Sequence, residues 1–249
     1  MIRPPEFDPF RERYAALPLE GLTITAVLSA GSAILQYNPL YLDGLLGAAV
    51  VRLATAGRGL PDTPDAYDIP LPLACLWRSP EGHPLWAASC FYPSDEWAQD
   101  VVYLHKRAPS GRWSRAPGGK PRPLRLVTSM GRDMERRVPM PAVTAWEFQA
   151  RAIGHAAAVA ELLETIVHLG KRRNLGTAHV LHWNVQPRDW DAADVLLSGG
   201  ALSRAVPAAA VHLLPAAPAE PPGIVGWTPP QWKAALFADG WRAGTEIAP

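Results

Sequence analysis

The chain has 249 residues, 48% of them apolar and 19% charged, with 27 Pro, 20 Gly, ten Trp and a formal net charge of +1. That composition fits one large domain or two small ones with ample apolar content for a core, and it excludes a chain disordered throughout. No apolar run reaches the roughly 18 residues that span a bilayer, the N-terminus Met1-Ile2-Arg3-Pro4-Pro5 has no signal-peptide core, and Cys75 and Cys90 are too few for a disulfide framework or a thiolate metal site. The expectation is a cytoplasmic protein with no membrane contact.

The first periodic stretch covers residues 22–30, where Leu22, Ile24, Ala26 and Leu28 alternate with smaller or polar residues at the period of a half-buried strand. Asn38-Pro39 reads as an N-cap with proline at the first helical position, and Leu42, Leu45, Leu46, Ala49, Val50 and Leu53 recur at helical spacing up to Gly57. Asp43, in the first turn, is expected to complement the helix dipole rather than to do chemistry. Residues 58–72 are a Pro/Asp/Gly-rich connector. Residues 73–77 and 85–92 flank Ser79-Pro80-Glu81-Gly82 as the strands of a hairpin, and residues 101–106 form a further strand.

Charge is segregated from here on. Residues 1–100 carry six Arg against twelve acidic residues, a net of −6, whereas residues 101–137 carry ten basic residues against Asp133 and Glu135, a net of +8. The remainder has a net of −1. Lys106, Arg107, Arg112, Arg115, Lys120, Arg122 and Arg125 lie among prolines and glycines without any apolar period, which reads as a long projecting loop or loose hairpin. Two readings stand: a solvated basic loop, or a local contact with a polyanion.

Val143, Ala145, Phe148 and Ala150 outline a strand over 142–153 that keeps its phase only in part. Val159, Leu162, Leu163, Ile166 and Val167 predict a second amphipathic helix ending at Gly170, with His168 near its C-terminus. Gly170-Lys171-Arg172-Arg173-Asn174-Leu175-Gly176 then leads into a strand over 178–185, with His179, Leu181, Trp183 and Val185 on one face and Val180, His182 and Asn184 on the other. The order strand, helix, strands, helix, strand predicts an α+β fold with a ferredoxin-like (RRM-like) βαββαβ core over residues 1–190. The basic insertion near 106–137 enlarges its second crossover, and a Pro-rich C-terminal extension over 191–249 packs on the core. Residues 229–237 are a short helix candidate.

Seven histidines invite a metal or acid–base reading. His179 and His182 on a regular strand point to opposite faces and cannot grip one metal without a bulge; His155 and His168 bracket a helix with no HExxH or Cys pair. No metal and no cofactor is expected. There is no G-x-S-x-G, P-loop or G-x-G-x-x-G, Gly199-Gly200 is too little for a phosphate cradle, and Asp189, Asp191 and Asp194 read as solvated loop acids. Gly170, Lys171, Arg172, Arg173, Asn174 and Gly176 differ. They set three consecutive cations between glycines that let backbone approach a phosphate closely. The alternative is an ordinary basic helix terminus.

The pairing of Leu42-Asp43-Gly44-Leu45-Leu46 with the 170–176 run resembles the RAMP superfamily of CRISPR–Cas proteins, RRM-like RNA binders with a glycine-rich loop. The details are most similar to the small subunit of type IV CRISPR effector complexes that holds the crRNA 5′ handle. Ile69-Pro70-Leu71-Pro72-Leu73, Trp86-Ala87-Ala88-Ser89 and the Pro/Arg-rich insertion add to the likeness, which spans about residues 20–190. It implies a non-catalytic scaffold that caps the crRNA end of a filament of backbone subunits, contacts the large subunit and lies near the target DNA duplex at the protospacer-adjacent motif. The family's loop carries over to 170–176, and its thumb-like projection over the guide RNA to 106–125. No RRM-type aromatic pair stands on the central strands, so phosphate and loop contacts are expected in place of bases stacked on an open sheet. Two other classes stay open. An endoribonuclease that matures CRISPR repeats has His83, His105, His182 and Lys171 to draw on, and a protein-interaction module has the Trp/Pro-rich tail.

Overall fold

The computed structural model describes residues 1–29, 33–35, 39–94, 96–106, 136–170, 178–231 and 233–248. A short helix that no apolar period announces, α1 (Asp8–Ala15), precedes β1 (Glu20–Leu28). Leu22, Ile24, Ala26 and Leu28 are all buried, as their alternation predicts. After β2 (Ala33–Leu35) comes α2 (Leu42–Ala54). This helix starts behind extended Tyr41, not at Asn38-Pro39, and Asn38 lies outside the described residues. It ends before Gly57 in a Schellman turn: the Gly57 N–H donates to the Arg52 carbonyl (2.8 Å) and the Ala56 N–H to that of Leu53 (3.2 Å). Gly57 is the second residue past the cap, so the left-handed position falls on Ala56, at φ +47°.

The expected hairpin forms as β3 (Cys75–Arg78) and β4 (Pro84–Trp86), shorter than predicted, and β5 (Tyr92–Pro93) follows. The chain then runs out along β6 (Trp97–Lys106) and back along β7 (Arg136–Ala145), paired over their whole length from Trp97↔Ala145 to Lys106↔Arg136. β2 pairs with the near end of β7. A bend at Trp146 separates β7 from β8 (Glu147–Gly154). That bend explains the imperfect phase over 142–153: two strands in different sheets, not one. α3 (Ala156–Glu164) is capped at its start by His155 and ends at Glu164, six residues short of the expected end at Gly170. Residues 166–169 instead turn back toward the start of β9 (Val180–Arg188).

These elements make a four-stranded sheet in the order β5-β8-β1-β9, every neighbouring pair antiparallel. Ile24 stands opposite both Ala150 and Val185. The helices cover one face, where Leu46, Val50, Val159 and Leu163 close a core over Ile24, Phe148 and Ala150. The fold is α+β with antiparallel sheets. The basic insertion is not in the α3 crossover. It joins β6 to β7, inside the connection between the neighbouring strands β5 and β8. No helix among the described residues is long and apolar enough to cross a membrane.

Beyond β9, α4 (Ala192–Leu196), β10 (Leu197–Ser198), β11 (Ala201–Leu202), β12 (Val206–Pro207), β13 (Gly223–Gly226) and β14 (Phe237–Trp241) build small antiparallel sheets. The helix expected over 229–237 is only a 3-10 turn at Ala234–Leu236 running into β14. A second apolar cluster holds Leu202, Val206, Ala210, Val225 and Trp227 together with Leu85 of β4, so this part packs on the β3–β4 hairpin. Between the two clusters lies Arg204, fully buried. Its five N–H groups donate to the carbonyls of Ala205, Trp86, Ala88 and Trp227 and to Asp43 Oδ2 (2.9 Å).

Candidate nucleic-acid interface

Of the predicted loop, Gly170 is described, whereas Lys171, Arg172, Arg173, Asn174 and Gly176 lie outside the described residues. Lys106 ends β6 opposite Arg136; Arg107, Arg112, Arg115, Lys120, Arg122 and Arg125 also lie outside them. The residues that flank both segments are described. The Leu169 N–H donates to the Ala178 carbonyl (3.0 Å) and the Val180 N–H to that of Val167 (2.9 Å), which closes a stem under residues 170–177. Gly170 and Ala178, at its mouth, have φ of +76° and +51°. The Trp183 Nε1–H donates to the Ile166 carbonyl (2.9 Å) and holds this turn on the sheet.

The stem stands at the end of β1. There the Ser29 N–H donates to the His179 carbonyl (3.0 Å) and the Leu28 N–H to that of Trp146 (2.8 Å). The β6–β7 ribbon is rooted at the same end, since Trp146 joins β7 to β8 and Trp97 pairs with Ala145. Exposed Trp97 and Trp146 mark the root. The basic insertion attaches at the ribbon's far end, ten residues along β6, which at ~3.4 Å per residue is about 30 Å away. The two basic segments are therefore attached at opposite ends of one ribbon.

The face of the sheet turned from the helices carries Thr23, Thr25, Gln149, Arg151, Asn184 and Gln186, by register with β1. It is partly roofed. Arg151 Nε donates to Tyr92 Oη (3.1 Å) and Nη1 to the Asp194 carbonyl (3.1 Å), while the guanidinium lies 4.7 Å from the centre of the Trp190 ring. Trp190 Nε1 donates to Thr23 Oγ1 (3.1 Å). Asp191 and Asp194 are not free loop acids but a reciprocal cap on α4. The segment from Trp190 to Leu197 thus covers the β1–β8 part, where an RRM stacks bases, and leaves Asn184 and Gln186 of β9 exposed. Arg151, Tyr92 and Trp190 were not singled out by sequence reasoning: Arg151 falls in the polar phase of β8 with Glu147 and Gln149, so nothing local sets it apart.

Asp43 lies in the first turn of α2 and accepts from a backbone N–H of that turn, as expected there, but its charge partner is Arg204. It is fully buried against Arg204, with the Gly44 N–H (2.8 Å) and Gln231 Nε2 (3.2 Å) on its other oxygen. Burial pushes its carboxyl up and Arg204 is the first influence pulling it back. The acid–base candidates are scattered. His83 is buried in the β3–β4 turn beside Tyr67 and Trp86, its pKa lowered chiefly by burial; His105 lies in the ribbon opposite Arg137; His182 is exposed on β9. His179 and His182 do not take opposite faces. The register shifts between Val27↔His182 and Leu28↔Val180, a bulge at Leu181 that returns His179 to the face of His182. Among the described residues no group of three His, Cys, Asp or Glu converges, and Cys75 and Cys90 are both free thiols. No protein-family model matches the chain, and no curated protein matches it.

Proposed function

We propose that the chain is a non-catalytic RNA-binding subunit of a type IV CRISPR effector ribonucleoprotein, a RAMP protein that holds the crRNA 5′ handle. The observation that carries this reading is where the Lys171-Arg172-Arg173 run is attached. Its flanking residues pair as a stem at the end of β1, in the last crossover of a sheet ordered β5-β8-β1-β9 with α2 and α3 as the crossovers. That order supports a ferredoxin-like βαββαβ core. Phosphates are bound by the loop cations, and the Trp190 roof favours backbone contacts over bases spread on the sheet. The insertion at the ribbon's far end contacts the guide, the adjoining backbone or large subunits, or the target duplex near the protospacer-adjacent motif. In this reading the protein works in the cytoplasm as part of the assembled complex.

Two experiments test it. Coexpressed with a repeat–spacer transcript and the other effector subunits, the chain should copurify with them and with processed crRNA. Incubated alone with labelled repeat RNA, it should bind and leave the RNA intact. Cleavage of the repeat would replace the scaffold with a repeat endoribonuclease. Failure to bind RNA, with partner association kept, would make it a protein-interaction module.

A further inference from the structure

The stem under residues 170–177 brings together two side chains that the RNA-binding reading does not use. His168 and His179 stand directly opposite each other in an isolated antiparallel bridge. The bonds around them, Leu169 N–H to Ala178 carbonyl and Val180 N–H to Val167 carbonyl, skip the pair itself. This is the non-hydrogen-bonded register, in which facing side chains are closest, with Cα atoms about 4.5 Å apart. The two imidazoles accordingly meet edge to face, their ring centres 5.1 Å apart and their planes at 69°. His179 is exposed and His168 half-buried, so the pair opens to solvent.

We propose that His168 and His179 form a binding site for a divalent transition metal of the imidazole-preferring class, Cu²⁺ most tightly and Zn²⁺ or Ni²⁺ less so. Two imidazole nitrogens bound at about 2.0–2.1 Å to one ion lie roughly 3 Å apart, a spacing that modest side-chain rotations reach from the present geometry. Water fills the remaining positions, because no third His, Cys, Asp or Glu converges here among the described residues. His182 shares this face through the bulge but stands further along β9 and is not a ligand. A bound ion staples the two strands of the stem and places two positive charges at the root of the segment carrying Lys171, Arg172 and Arg173. The site depends on the stem alone, so its failure would leave the RNA-binding reading untouched.

The full chain, prepared without a histidine tag, is titrated with Cu²⁺ at pH 7.5 by calorimetry and electron paramagnetic resonance, with melting followed in parallel. The first equivalent should show two equatorial nitrogen donors and raise Tm. H168N and H179N should each weaken that site at least tenfold and leave a single imidazole nitrogen in its spectrum; H182N should stay within twofold of the parent. The nitrogen count is read on the unmodified protein, so it holds even if a variant folds poorly. A first equivalent with fewer than two nitrogens overturns the proposal. So does a site that survives H168N but is lost in H182N.

Discussion

At the scale of single residues, backbone conformation and burial make the sharpest statements. Ala56 occupies the left-handed position of the α2 Schellman turn at φ +47°, where a Cβ is disfavoured by roughly 1–2 kcal/mol. Glycine relieves that strain but gives up part of the gain in unfolded-chain entropy. A56G should therefore stabilise the protein by about 0.5–1 kcal/mol, seen as a higher urea midpoint at unchanged slope; an unchanged or lower midpoint would show that the turn tolerates alanine. His83 makes a second prediction. Burial holds its folded-state pKa below the ordinary value, with Glu81 and Asp68 opposing. The unfolded chain then takes up a proton near pH 6.5 that the folded chain declines. The stability present above that pH is lost as pH falls toward the folded pKa. Chemical denaturation at pH 7.5 and 5.5 should show this loss, and H83N, which cannot titrate, should show less of it. Equal loss in both proteins would assign it to other groups.

At the scale of elements, the stem and the ribbon set the two basic segments apart, and their mutants should separate accordingly. Replacing Lys171, Arg172 and Arg173 with alanine should weaken binding of the isolated chain to handle RNA by roughly tenfold or more. Each phosphate contact on a single strand contributes about −0.7 to the slope of log affinity against log salt, so losing three should flatten that slope by about 2. Neutralising Arg112, Arg115, Lys120 and Arg122 should leave handle binding by the isolated chain largely intact and act in the assembled complex, because that segment is attached at the far end of the ribbon. Filter binding at several salt concentrations, beside complex assembly, measures both. If the insertion mutant loses RNA binding and the loop mutant keeps it, the handle is held at the other end of the ribbon.

At the scale of the whole molecule, Arg204 ties the C-terminal part to α2 through Asp43. A buried ion pair adds little over a well-packed apolar pair, but removing one partner strands the other charge in the interior. R204M should cost about 3–5 kcal/mol in urea unfolding, and the double variant D43L/R204M should recover most of that loss. Single and double variants losing the same amount would mean that the carbonyl contacts of Arg204, not Asp43, dominate. Ending the chain at residue 190 removes Arg204 and uncovers Leu85 and Asp43. The truncated protein should therefore lose its cooperative unfolding transition, although residues 1–190 contain the whole four-stranded sheet.

Local periodicity sufficed for β1, most of α2, the β3–β4 turn and the start of α3, because each pattern is written within a few consecutive residues. The segment over 142–153 and the end of α3 were misread where the chain bends. Nothing local to Trp146 announces a change of sheet, and Ile166 and Val167 continue a helical spacing while their backbone turns back to pair with residues 178–180. Charge segregation and the Lys171-Arg172-Arg173 run were likewise legible from composition. That one basic segment attaches beside the end of β1 and the other about 30 Å along a ribbon follows only from strand pairing between distant residues. Asp43 was placed correctly in the first turn of its helix, but its partner comes from position 204. His168 and His179 likewise meet only because the stem pairs them, and His179 reaches the face of His182 only because Leu181 bulges. The sequence by itself determined β1, most of α2 and where the basic runs lie along the chain; tertiary structure decided which charges are buried together and which side chains share a face, since both depend on contacts between residues far apart in the chain.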